Sequence, residues 1–195
     1  MSDRRRGRSL LTLVALTLGL ATSACRSEDA PGRSPAASAS GPAVVDQTLV
    51  AFLSKARAAN HAADLALDKG DRSAALGHLR RLTEGARPAI SPEVAEVLAD
   101  AHARVAEILA ADGDFAEAEK EVDRGLAHAK DPTLFRANLF MARGVVHERR
   151  MKALSDAGDE AGAESARAAA LQAFDTAMTL QEKVLDEALR DEPVE

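Results

Sequence analysis

The sequence predicts an all-α fold, three helical hairpins stacked as a short α-solenoid, with an antiparallel helical bundle as the alternative arrangement. Three observations carry this. From Asp46 onward apolar residues recur at spacings of three and four, as Leu49, Phe52, Ala56, Ala59 and Ala63 do, which places them on one face of a helix. No window alternates with a period of two over a strand's length, so no sheet is expected. A Gly-Asp pair recurs at Gly70-Asp71, Gly113-Asp114 and Gly158-Asp159, 43 and 45 residues apart, a repeat signal of the kind that marks solenoids.

Each element follows from that punctuation. The first helix stops at Gly70, where glycine accepts a positive φ, and Asp71 starts the second by accepting from the exposed N–H groups of its first turn. Gly85 is suited to the left-handed residue that ends the second helix. Ser91-Pro92 opens the third with a capping oxygen before a proline, whose missing N–H costs nothing at the first helical position. Val94, Val97, Ala101, Val105 and Leu109 form the apolar face of this helix. Gly113 ends it, and Asp114 opens the fourth with Glu117 three residues on as a capping box. Asp131-Pro132 repeats the oxygen-proline start for the fifth, and Gly158-Asp159 divides the fifth from the sixth. Alanine is abundant on the inward faces, and only Phe52, Phe115, Phe135, Phe140 and Phe174 supply aromatic bulk. Helix axes should therefore approach to the near end of about 8–10 Å. Stability must come from many modest contacts along the stack, at about 25 cal/mol per Å².

The repeat carries a finer pattern. The middle unit contains Gly113-Asp114-Phe115-Ala116-Glu117-Ala118; the last has Phe140-x2-Arg143-Gly144-x2-His147, then Ala170-x3-Phe174-x2-Ala177; the first offers Ala63, Ala75, Leu79 and Leu82 at equivalent offsets. These residues resemble tetratricopeptide repeats, in which small side chains sit where helices cross and a large apolar one lies between them. The resemblance covers most of residues 55–180. It departs from the family in lacking Trp and Tyr and in having units longer than the family's roughly 34 residues. In the last unit about 14 extra residues lie around the turn between Gly144 and Ala170; shared evenly, they add about two helical turns to each arm and leave the pairing intact.

Ahead of the helical region, Arg4, Arg5, Arg6 and Arg8 precede an apolar run from Leu10 to Leu20, and Thr22-Ser23-Ala24-Cys25 follows. The run is shorter than the roughly 20 residues a spanning helix needs, and small residues behind it leave room for a peptidase. This order resembles a bacterial lipoprotein signal over residues 1–24, with Cys25 as the lipidated residue; a non-lipidated signal cut at Ala24 is the competing reading. Arg26, where an Asp would by the same resemblance retain the protein in the inner membrane, points to the outer membrane, facing the periplasm. Residues 25–45 combine Pro, Gly, Ser and Ala with almost no bulky apolar side chain. They read as a flexible tether with a reach of about 25 Å, and residues 46–191 as the helical-repeat domain.

Charge and composition narrow the function. Without residues 1–24 the chain keeps 21 basic and 30 acidic residues, a formal balance of −9. That disfavours nucleic acid and anionic lipid surfaces, leaving the lipid on Cys25 as the membrane attachment. Cys25 is the single cysteine, so an intramolecular disulfide is excluded. There is no G-x-S-x-G elbow and no Gly-rich phosphate loop, and without Trp or Tyr there is no platform for sugars or bases. Carboxylate pairs such as Glu117/Glu121 and Asp64/Asp68 read as solvated faces that repel. His61, His78, His102, His128 and His147 fall about one per helix without H-E-x-x-H or C-x-x-C-H spacing, and His102 and His147 occupy packing positions. No catalysis and no cofactor is expected; a periplasmic metal- or haem-binding helical bundle is the competing function.

What the repeat resemblance implies is recognition of another envelope protein or peptide. The first helix of each hairpin would line a concave groove through Asn60, Asp64 and Leu67, then Ala103, Glu107 and Ala110, then Asn138, Met141, Val145 and Glu148. The asparagines would pair with a peptide backbone, and Met and Val would supply an adaptable apolar floor. The expectation is a lipid-anchored adaptor of the bacterial cell envelope.

Overall fold

The computed structural model describes residues 46–191; the expected leader, Cys25 and the whole of the expected tether lie outside the described residues. Among the described residues are six α-helices and no strand: α1 (Gln47–Asp68), α2 (Arg72–Thr83), α3 (Pro92–Ala111), α4 (Phe115–His128), α5 (Leu134–Asp156) and α6 (Glu160–Asp191). None of them is long and apolar enough to cross a membrane.

The three Gly-Asp pairs turn the chain as the sequence predicts. Gly70, Gly113 and Gly158 hold φ of 74°, 84° and 80°. Asp71, Asp114 and Asp159 donate their backbone N–H to Ala66, Leu109 and Leu154 at 2.8, 3.0 and 2.9 Å, which satisfies carbonyls the helix ends would leave open. The same aspartates then accept the N–H of Ala74, Glu117 and Gly162 and start the next helices. A Cβ at Gly113 would touch nothing within 4 Å. Gly113→Ala should therefore cost only the left-handed backbone penalty, about 1–2 kcal/mol, read as a lower midpoint in urea unfolding. An unchanged midpoint would mean the turn does not need that geometry.

Three expectations about the helix ends need correction. The fifth helix is capped by Thr133, whose Oγ1 accepts from Arg136 N at 3.2 Å, so Asp131 and Pro132 lie in the preceding loop. Glu117 does not reach back to Asp114; its carboxylate is taken by Lys120 and Arg124, so half of the capping box is missing. Gly85 is not among the positive-φ glycines, since α2 ends through Glu84 in right-handed geometry. Glycine is still required there because a Cβ would overlap the carbonyl oxygen of Arg81.

The hairpins α1–α2, α3–α4 and α5–α6 pack in chain order, α3 touching α1, α2, α4 and α5. Among the described residues no helix of the first hairpin touches the third, so the contacts run along a line. α3 is the hub: Val94, Leu98 and Ala101 join Phe52, Ala56 and Leu82 at the first seam, and Val105 and Ala106 join Val122, Leu139 and Val146 in the larger cluster. Small residues set the crossings. A Cβ on Gly125 of α4 would overlap Leu139 of α5 and stand 3.1 Å from His102 Cβ, and one on Gly144 of α5 would overlap the Phe174 ring of α6. Gly144 and Phe174 lie 14 and 16 residues either side of Gly158, so the longer last hairpin is extended almost equally on both arms.

Candidate functional site

One polar surface is shared by α1, α3 and α5. Arg104 of α3 donates to Asn60 Oδ1 at 2.9 Å and pairs with the Asp64 carboxylate, tying the middle hairpin to the first. Asp100, one turn before Arg104, has its carboxyl raised by burial, with Arg104 pulling it down and Asp64 pushing it up again. Glu107 is raised in the same way: burial dominates, Arg149 of α5 and then Arg104 oppose it, and Asp100 adds to it. Glu107 is itself exposed, so solvent moderates this effect. Three carboxylates, Asp64, Asp100 and Glu107, thus crowd around Arg104 and Arg149, leaving negative charge in excess.

The predicted groove residues divide on this surface. Asp64, Leu67, Glu107, Asn138 and Glu148 are exposed, and Asn60, Met141 and Val145 are partly buried. Asn60 has its carbonyl occupied by Arg104 and offers a partner chiefly its N–H donors. Ala103 and Ala110 do not line a groove: at 1% and 3% exposed they belong to the core, because α3 has neighbours on nearly every side. Sequence reasoning passed over Asp100, Arg104 and Arg149. The available signal was Arg104 standing 40 residues after Asp64, close to one repeat, so that an acid and a base fall on adjacent first helices.

A second polar cluster lies inside the middle hairpin. His102 of α3 and Glu121 of α4, 5% and 3% exposed, meet through Nδ1 and Oε2 at 2.7 Å, and Arg124 pairs with the other carboxylate oxygen. The His128 ring stacks on His102 with centroids 5.7 Å apart, and Thr83 and Glu84 at the end of α2 complete the lining of a cavity of about 370 Å³. Glu121 is therefore no solvated helix face, as its spacing from Glu117 had suggested. Burial pushes its carboxyl up, but the hydrogen bond and charge of His102, with Arg124, overcome this and hold it below the ordinary value. His147 of α5 also faces α4, its Nε2 3.0 Å from Glu119 Oε1 but off the line of a hydrogen bond, and Arg143 bridges Glu119 and Asp123. Among the described residues no group of three or more His, Cys, Asp or Glu is placed to hold a metal ion.

Burial, then the neighbouring His102 and Arg87, lower the proton affinity of His128 in the folded state. The unfolded chain then binds the proton more readily, so this contribution to stability is present above about pH 6.5 and is lost as pH falls below it. Thermal melts from pH 7.5 to 5.5 should show a falling midpoint, and His128→Gln should flatten that slope. An equal slope in the variant would remove His128 from the explanation.

No family model matches this chain, nor does a curated protein or a solved structure.

Proposed function

We propose that this chain is a lipid-anchored adaptor of the bacterial cell envelope, held at the outer membrane through Cys25, whose tetratricopeptide-like hairpins bind a cationic segment of another envelope protein without catalysing a reaction. The observation that carries the binding reading is the carboxylate surplus on the α1–α3–α5 surface. Asp100 and Glu107 sit above their ordinary values because burial there disfavours their charge. A Lys- or Arg-bearing segment laid across them would relieve that penalty, and Met141 and Val145 offer apolar contact farther along α5. The small-residue crossings at Gly125 and Gly144 support the repeat resemblance. The anchor rests on the order of residues 1–25.

The test is crosslinking capture from envelope membranes with the intact chain, with Cys25→Ser, and with Asp100→Asn/Glu107→Gln. The intact chain should enrich a defined partner and Cys25→Ser should lose it. The neutralised chain should bind that partner about three- to tenfold more weakly, as expected for two partly exposed ion pairs. A partner captured equally by all three forms would sink the reading, as would stoichiometric metal or a haem absorption band in the purified protein.

A further inference from the structure

We propose that the outer face of α6 docks an amphipathic helix of another polypeptide, one that carries Lys or Arg residues a heptad apart beside its apolar stripe. This site is separate from the α1–α3–α5 surface and does not depend on it.

Among the described residues α6 touches α5 alone. Its inner side is built of Ala163, Ala166, Ala170, Ala173 and Ala177, all buried. The exposed side, about 100° round from that row, is not uniformly polar. Leu171, Met178, Leu185 and Leu189 stand 56%, 51%, 58% and 61% exposed, at successive spacings of seven, seven and four that hold them to one stripe. Scattered exposed leucines are ordinary, but four large apolar side chains along one side of a helix with a single neighbour make a seam uncovered among the described residues. Beside it runs a groove of about 710 Å³ between α5 and α6, in which Phe140, Leu180 and Ala168 are joined by the polar side chains of Arg136, Gln172 and Asp175. The hydroxyls of Thr176 and Thr179 in that groove donate to the carbonyls of Gln172 and Asp175 at 2.8 and 2.9 Å, so they bring no unmet donor to an apolar occupant.

Charge selects the occupant. Asp175 and Glu182 follow Leu171 and Met178 by four residues, as Leu189 follows Leu185, so they stand one heptad apart in the same row as Leu189. Neither has an ion-pair partner among the described residues, whereas Glu164, Glu187 and Asp186 on the same helix pair with Arg167, Lys183 and Arg190. A parallel second copy of α6 would set Asp175 and Glu182 each against itself, and an antiparallel copy that pairs Leu171 with Leu189 would lay Asp175 on the mate's Leu185 and Glu182 on its Met178, burying both carboxylates without a cation. An anionic membrane surface is opposed by the same carboxylates. A helix with apolar residues on the matching heptad positions and basic residues beside them satisfies both the stripe and the charges.

The probe is a labelled synthetic helix of about 21 residues with Leu at a and d and Lys at e and g, titrated by anisotropy against the full-length protein, beside the same helix with Glu in place of Lys. The Lys helix should bind saturably at one per chain and the Glu helix should not. Asp175→Lys/Glu182→Lys should weaken the Lys helix at least tenfold and confer binding of the Glu helix. Leu185→Asp should abolish binding while circular dichroism stays unchanged, since Leu185 is exposed. Glu107→Gln should leave the affinity unaltered, which separates this site from the first-helix surface. The proposal is overturned if charge reversal leaves Lys-helix affinity unchanged. Self-association of the chain relieved by Leu185→Asp, or binding to phosphatidylglycerol vesicles relieved by the same change, would equally overturn it.

Discussion

Glu121→Ala is expected to destabilise the protein by about 2–5 kcal/mol, because it strands the buried His102 ring, whereas the half-exposed Arg124 keeps Glu117 and solvent. Glu121 holds His102 at 2.7 Å through one oxygen and Arg124 through the other, at a site where His102 and Glu121 are both almost wholly buried. At about 2–4 °C per kcal/mol for a domain of this size, the melting midpoint should fall by about 4–20 °C. A double replacement, His102→Leu with Glu121→Leu, should recover much of the loss, since removing both members of a buried pair costs far less than removing one. A loss below about 1 kcal/mol for Glu121→Ala would show that water reaches the cavity freely and that the pair is not desolvated.

Leu139→Ala should cost a comparable amount, about 2–5 kcal/mol, through lost burial plus the cavity left behind. Leu139 is completely buried and fills the space that Gly125 leaves open on α4, so it joins the middle hairpin to the last. In a linear stack the damage should be local: hydrogen exchange should rise first in α5 and α6 and least in α1 and α2. Equal acceleration in all three hairpins would indicate a single cooperative unit in place of a stack with separable ends.

Much of the fold was legible before any coordinates, for a local reason. A glycine followed by an aspartate states in two residues that one helix stops and another starts, because positive φ and N-terminal capping depend on immediate neighbours. The errors were equally local in origin. Asp131 and Thr133 are both good caps, and only the course of the chain into α5 selects Thr133. Glu117 has the spacing of a capping box, but Arg124, two turns along, competes for its carboxylate.

The polar sites were less legible because they join residues about half a repeat or a full repeat apart. Glu121 reads as a surface acid on α4 until α3 delivers His102 against it, 19 residues earlier in the chain. Arg104 has no meaning as a tie until α1 lies alongside with Asn60 and Asp64. The stripe on α6 is the opposite case, since its heptad spacing is visible in the chain but whether it faces a neighbour or solvent is not.

By itself the sequence determined that the region from Asp46 onward is helical, where its five turns and loops fall to within two residues, and that the helices meet through small side chains, because periodicity, capping and side-chain volume act within a few residues. Only the tertiary structure decided which carboxylates are buried and paired, which alanines left the groove for the core, and which apolar stripe remained uncovered. Those outcomes depend on which helix lies next to which, and in a stack of hairpins that proximity is set by packing between residues far apart in the chain.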